Sequence, residues 1–413
     1  MILIVCDHKK RELEIQEKLK KKFIEKNIPC KIINKHTILK CYNYFKPKII
    51  IFPHANGYLS KVIDKLGNKV IKILVPTEHC AFIDKFIEIQ YLGNYDYNQN
   101  SLKSIDYIFC QSEHTKKILT DKFFIEKDKV LISGHAYYSE WKYGVKKKGK
   151  VKNIGIALTN EFIMRKFKSG NFMKDFYKLN NDTNLSEHEW RFGQISFDLY
   201  LFSLIFKIIK NLKKYNVSIR THTVDVESDF KFLENENLSI DNNSRLDTWM
   251  SKQDLIISCI SFINVDTYIR KIPHISLIEM VPDQFFFKAY NLYTYKEFIE
   301  PNSYKPKNLD ELLYLIKDID FKENSIMDEY IKKYFSFPYK TNPLDLISNS
   351  IHEKFQSLSI EKFEPILSDN DKKIINIFGK KIGFFISLFL SQIKIRFNKN
   401  SRNSYFDFKF FMK

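Results

Sequence analysis

Short, unbroken apolar runs alternate with charged amphipathic stretches through the first third of the chain. Residues 2–6, 48–52, 70–75, 107–110 and 130–133 are rich in Ile and Val, and helix-like segments such as 11–26 and 113–120 lie between them. Continuous apolar strands separated by helices predict a parallel sheet covered on both faces. A basic, Gly-containing stretch, Tyr143-Gly144-Val145-Lys146-Lys147-Lys148-Gly149-Lys150, then breaks the pattern and reads as a linker. A second series follows. Residues 153–158, 217–220, 255–259 and 274–278 read as strands, 197–214 as a long helix, and 164–195 as a polar, loop-rich insertion. The expected class is therefore α/β, with two Rossmann-like domains (1–142 and 151–342) facing each other across a cleft.

After Pro343 the pattern turns helical to the end, giving an expected tail over 343–413. Residues 374–397 pack Ile, Phe and Leu beside Lys380, Lys381, Lys394 and Arg396. The apolar centre, 382–390, is shorter than the roughly 20 residues a bilayer crossing needs. A cationic, Phe-rich helix lying in the membrane interface and a helix docked back on the protein both fit this pattern.

At 413 residues, with 44% apolar and 15% aromatic content, the chain has material for two cores and is not a disordered polymer. The net charge of +18 comes mostly from Lys. Part of it reflects the residue usage of an AT-rich genome; the remainder favours anionic partners such as phosphates, acidic glycans or an anionic membrane surface. Arg-poor basicity spread along the whole chain, without a recognition motif, argues against nucleic acid. The six Cys residues show no paired spacing, which suits reduced core thiols in a cytoplasmic protein, peripheral on the inner face of the membrane if the tail binds lipid. Residues 1–5 start a strand at once and lack the pattern of a signal peptide.

The candidate chemistry gathers at the expected carboxyl ends of strands. In the second domain, Arg220 and His222 follow one strand, and Ser258 and Ser261 bracket the turn before a helix that carries Asp266. A histidine and a helix N-terminus on one rim form a place for phosphates. His222 would neutralise charge on a departing nucleotide. Arg220, Ser258 and Ser261 would hold the nucleotide, and Asp266 would meet a ribose hydroxyl or complement the helix dipole. In the first domain, Asp7 and His8 end the first strand, His54 the second, and Glu78 and His79 the third. No Gly-x-Gly-x-x-Gly is present, so this half is expected to receive the acceptor, through Asp7, His8, His54 and His79. Glu78 is placed to act as general base on an acceptor hydroxyl or to stabilise the donor's oxocarbenium-like centre. Gly134 reads as a conformational turn and His135 as cleft-facing. His188-Glu189-Trp190 lacks metal-ligand spacing and no Asp-x-Asp stands at a strand end, so neither a metal nor another cofactor is expected.

Arg220-Thr221-His222, Ser244-Arg245-Leu246-Asp247-Thr248-Trp249-Met250, 254–261 and Lys271-Ile272-Pro273-His274-Ile275-Ser276 together resemble the bacterial surface-carbohydrate biosynthesis proteins. Those proteins resemble GT-B glycosyltransferases and, more distantly, Kdo transferases. The family pattern has prolines where this chain has Thr221 and Thr223, and a glycine where it has Lys271 or Ile272. Glu78 matches an acidic position of the family, with His79 replacing a glycine. The resemblance covers about residues 1–300. It implies a metal-independent glycosyltransferase that takes a nucleotide-activated sugar, of the CMP-linked Kdo type, to a glycan or lipid-linked acceptor. A CDP-polyol phosphotransferase, whose family carries a similar His-then-Ser arrangement, is the alternative among enzymes. A non-catalytic GT-B-like scaffold on the membrane is the alternative outside them.

Overall fold

β1 (Ile2–Cys6), β2 (Cys30–Asn34), β3 (Ile49–Phe52), β4 (Ile71–Leu74), β5 (Tyr107–Cys110) and β6 (Val130–Ile132) form one sheet in the computed structural model. Its order is β2-β1-β3-β4-β5-β6 and every pairing is parallel. β7 (Asn153–Ala157), β8 (Asn216–Arg220), β9 (Leu238–Ile240), β10 (Leu255–Ser258) and β11 (His274–Ser276) form a second parallel sheet, ordered β11-β10-β7-β8-β9. The structure describes residues 1–55, 57–77, 84, 99–146, 149–158, 185–221, 230–241, 244–259, 261–282, 301–357 and 363–397. The α/β class read from the alternating pattern is borne out.

β1 and β3, Ile-Leu-Ile-Val-Cys and Ile-Ile-Ile-Phe, are buried at every position. Such side chains suit a strand covered on both faces. The helix Lys9–Glu25 places Ile15, Leu19 and Phe23 four residues apart, and this stripe packs on Ile2, Ile4, Ile49 and Ile51. A helix far along the chain, Pro343–Ser357, adds Leu344, Ile347 and Ile351 to the same core. Residues 1–141 and 331–413 accordingly form one compact unit, and 142–330 the other. The segment expected as a separate tail thus supplies part of the first unit's interior, because its own apolar stripe finds no core within the tail.

In the second unit, Ile154, Ile156, Val217, Ile219, Leu255 and Ile257 meet the helix Leu185–Asn211 through Phe197, Leu201, Ile205 and Ile208, with Leu212 just past its end. That helix starts earlier than the expected residue 197. Residues 185–196 are polar but hold no proline, so nothing in them ends a helix. On this unit's short helix Leu246–Ser251, Trp249 is fully buried and its Nε1 donates to Ser218 Oγ at 2.9 Å. It passes so close to β7 that a Cβ on Gly155 would stand 2.8 Å from the indole.

Two strands escaped the apolar pattern, β2 (Cys-Lys-Ile-Ile-Asn) and β9 (Leu-Ser-Ile). Both are edge strands, where one side of the ladder is open and polar residues are tolerated. Five described cysteines, Cys6, Cys30, Cys41, Cys110 and Cys259, are buried free thiols, and burial pushes Cys30, Cys41 and Cys110 up to about 12.

Candidate functional site

Where a parallel sheet is wound both ways from one strand, the loops at its carboxyl end part and leave a crevice. In the first sheet that strand is β1, with β2 on one side and β3 on the other. The register pairs Cys6 with Asn34 and Ile4 with Ile51. Continued past the strand ends, it sets Asp7 between Lys35 and His54.

The side chains meet there. His54 Nε2 lies 2.7 Å from Asp7 Oδ2, and Lys35 Nζ pairs with Asp7 Oδ1. All three are partly covered, with side-chain exposures of 19% for His54, 21% for Asp7 and 28% for Lys35. Burial alone would raise the Asp7 carboxyl, but His54 and then Lys35 outweigh it and hold Asp7 well below the usual carboxylate range. Nε2 of the imidazole faces the Asp7 carboxylate, and Nδ1 on the other side of the ring is a buried atom without a hydrogen-bond partner. A carboxylate that fixes the tautomer and orientation of a histidine is the arrangement of an acid–base group.

Beneath this pair, in the first turn of Lys9–Glu25, lies Glu12, 4% exposed. Its Oε2 accepts from the Asp7 backbone N–H at 2.8 Å and from Gln16 Nε2 at 3.1 Å, while Gln16 also donates to the Val5 carbonyl at 2.8 Å. Burial, and after it the Asp7 charge, push Glu12 up to about 7. His8 is half-buried at the position before the helix and makes no side-chain cap.

The second sheet is wound from β7, between β10 and β8. Arg220 ends β8 opposite Ala157. Its Nη1 donates to the Ser244 carbonyl at 2.9 Å, and its guanidinium carbon lies 5.9 Å from the centre of the Trp249 ring. Ser258, at the end of β10, is 1% exposed and its Oγ lies 2.8 Å from His274 Nε2, while His274 Nδ1 lies 2.6 Å from Ser303 Oγ. Burial lowers His274 to about 3, so it is a neutral core imidazole that links two hydroxyls. The Ser258 hydroxyl, expected to hold a phosphate, is engaged inside the sheet instead.

Ser261 Oγ accepts from the Ile263 N–H at 3.3 Å, and its carbonyl accepts from Asn264 N at 3.3 Å. Phe262 O takes Val265 N at 2.9 Å. The amides expected to be free at the start of Ile263–Arg270 are therefore bonded locally, because the serine turn winds tightly into the helix. Asp266 sits in the first turn of that helix, 1% exposed. Three buried polar groups near the carboxyl side of this sheet have no hydrogen-bond partner: the Thr221 hydroxyl, the Asn264 amide and the Ser276 hydroxyl. Each costs about 1–3 kcal/mol when left unpaired, so a ligand that bonds them recovers that energy. A depression of about 350 Å³ bordered by Asn153, Asn216 and Trp249 opens at the amino ends of β7 and β8, away from the rim where doubly wound sheets bind ligands.

No protein-family model and no curated protein matches the sequence. Solved structures align at low identity. A structure of MnaA from S. aureus with UDP covers 88% of this chain and 99% of its own, at 10% identity and a TM-score of 0.49. The wall teichoic acid polymerase TagF covers 86% and 89%, at 13% identity and 0.48. The lipopolysaccharide outer core galactosyltransferase WaaB covers 86% and 99%, at 10% and 0.36. Scores this low assign neither residues nor substrate.

Of the residues singled out in the sequence, the structure brings Asp7 and His54 together. Arg220, Ser258, Ser261 and Asp266 fall along one rim of the second sheet, two of them with the hydroxyl already bonded. Glu78, His79 and His222 lie outside the described residues. His135, expected to face a cleft, is buried; its Nδ1 accepts from Tyr137 N at 3.1 Å. Gly134 before it has φ of 81°, and a Cβ there would stand 2.5 Å from Tyr339, so both shape and space require glycine. Lys35 and Glu12 escaped the sequence reading, since Lys35 follows the unrecognised β2 and Glu12 looks like one more charge on an amphipathic helix. Among the described residues no group of three or more His, Cys, Asp or Glu could hold a metal ion.

Proposed function

We propose that the protein is a glycosyltransferase of bacterial surface polysaccharide synthesis, moving a sugar from a nucleotide-activated donor to a hydroxyl of a glycan or lipid-linked acceptor. The observation that carries this reading is the Asp7–His54 pair at the winding point of the first sheet, 2.7 Å apart. In this reading the His54 imidazole takes the proton of the acceptor hydroxyl as it attacks the anomeric carbon, while Asp7 orients and stabilises the imidazolium that results. His54 and Lys35 together keep Asp7 ionised, and Glu78, His8 and His79 complete the acceptor side. The second unit holds the donor. Arg220 and His222 balance the phosphate charge, with Ser258, Ser261 and Asp266 along the same rim, and Thr221, Asn264 and Ser276 gain the partners they lack. A CMP-linked acidic sugar of the Kdo type suits the motif resemblance and the +18 charge.

Thermal shift with CMP, CDP, UDP and GDP, followed by mass spectrometry of the product formed from the stabilising nucleotide's sugar, tests the reading. A glycosidic product supports it. A phosphodiester product replaces it with polyol phosphate transfer, and failure to bind any nucleotide leaves a non-catalytic scaffold.

A further inference from the structure

Within Asp369–Phe397, the stretch Asp369–Ile395 is long and apolar enough to cross a membrane as one helix. It is not one helix. Gly379 interrupts it at φ 74°, ψ 165°. The Ser387 hydroxyl donates to Asp371 Oδ1, 16 residues away in sequence. In an unbroken helix those residues would stand about 24 Å apart, at 1.5 Å per residue. The two halves therefore fold back on each other as a helical hairpin. Gly383 permits the close approach, since a Cβ there would lie 2.7 Å from the Ile375 Cα.

One end of the hairpin is fastened to the first unit. Asp371, 3% exposed, pairs with Lys40 and accepts from the Ser368 hydroxyl at 2.6 Å. Burial alone would raise this carboxyl; Lys40, Ser368 and Ser387 more than offset it and hold it at about 2. The Asn43 amide makes a reciprocal pair with the Ile366 backbone, at 2.6 and 2.8 Å.

The turn end is different. Ile377 is 73% exposed, Phe378 49% and Ile382 57%, and Lys373, Lys380 and Lys381 beside them are exposed. The segment's two acids do not offset these lysines, because Asp371 is bound internally and Asp369 pairs with Lys372 at 3.3 Å. We propose that this turn is a wedge that seats the protein on an anionic lipid surface. Ile377, Phe378 and Ile382 enter the headgroup–acyl boundary, and the lysines reach the lipid phosphates. Net positive charge around an apolar tip selects an anionic bilayer over a neutral one. Spanning is excluded in this conformation, since it would draw the Lys40–Asp371 pair into hydrocarbon. The proposal is independent of the transfer reaction.

Co-sedimentation of the full chain with vesicles of phosphatidylcholine, and of equal parts phosphatidylcholine and phosphatidylglycerol, tests it. The native chain should partition onto the anionic vesicles and release in high salt. Lys380→Gln with Lys381→Gln should weaken partitioning about thirtyfold, near fivefold per cation at a lipid surface. Phe378→Ser with Ile382→Ser, both exposed, should abolish it with an unchanged melting temperature. Equal binding to neutral vesicles, or tip variants that bind like the native chain, would overturn the proposal. So would a dimer in solution that the Phe378→Ser, Ile382→Ser variant dissociates, since the patch would then be a subunit contact.

Discussion

Replacing Glu12 by Gln should make the protein more stable above neutral pH while changing little in acid. Glu12 is 4% exposed and rises from an ordinary 4.5 to about 7 in the folded state. Between those two values the unfolded chain releases the Glu12 proton and the folded chain retains it, so the wild type loses stability as pH rises through that window. At about 1.4 kcal/mol per pH unit, the window amounts to roughly 3 kcal/mol. Gln remains neutral throughout and can still accept from Asp7 N and bond Gln16. Urea denaturation of both proteins at about pH 4.5 and about pH 8 isolates the effect, because every other titrating group is shared. The variant's advantage should grow by roughly 3 kcal/mol between the two conditions. An advantage that stays flat, or shrinks toward alkaline pH, refutes a buried Glu12 that folding keeps protonated.

His54→Ala should lower turnover by about a hundredfold or more without moving the melting temperature, and Asp7→Asn combined with it should cost little extra, since the two act as one unit. Turnover at the wild-type rate in His54→Ala would remove the base from the scheme. Gly155→Ala should destabilise the second unit by about 2 kcal/mol, because its Cβ would meet the Trp249 indole at 2.8 Å in a packed interior. An unchanged denaturation midpoint would show that Trp249 yields freely.

Much of the candidate site was legible because a parallel strand delivers its last residue to a known rim. Asp7, His54, Arg220 and Ser258 could each be placed at strand ends from the apolar runs alone. What those side chains do there was not legible. Ser258 and Arg220 occupy equivalent strand ends, yet one hydroxyl turns to His274 inside the sheet while the guanidinium stacks over Trp249. The direction depends on residues 16 and 29 positions further along, which no local pattern ties together. Lys35 went unrecognised because β2 carries Lys31 and lies at a sheet edge, where the apolar signal is weakest.

By itself the sequence determined the two parallel sheets and the break between them, because burial on both faces demands unbroken Ile and Val runs separated by helices. Only the tertiary structure decided that the last eighty or so residues rejoin the first unit and that their apolar helix doubles back at Gly379. An apolar stripe records that something must cover it, and not what does. The partner of Ile347 lies on a strand hundreds of residues earlier, and the partner of Asp371 on a helix equally remote.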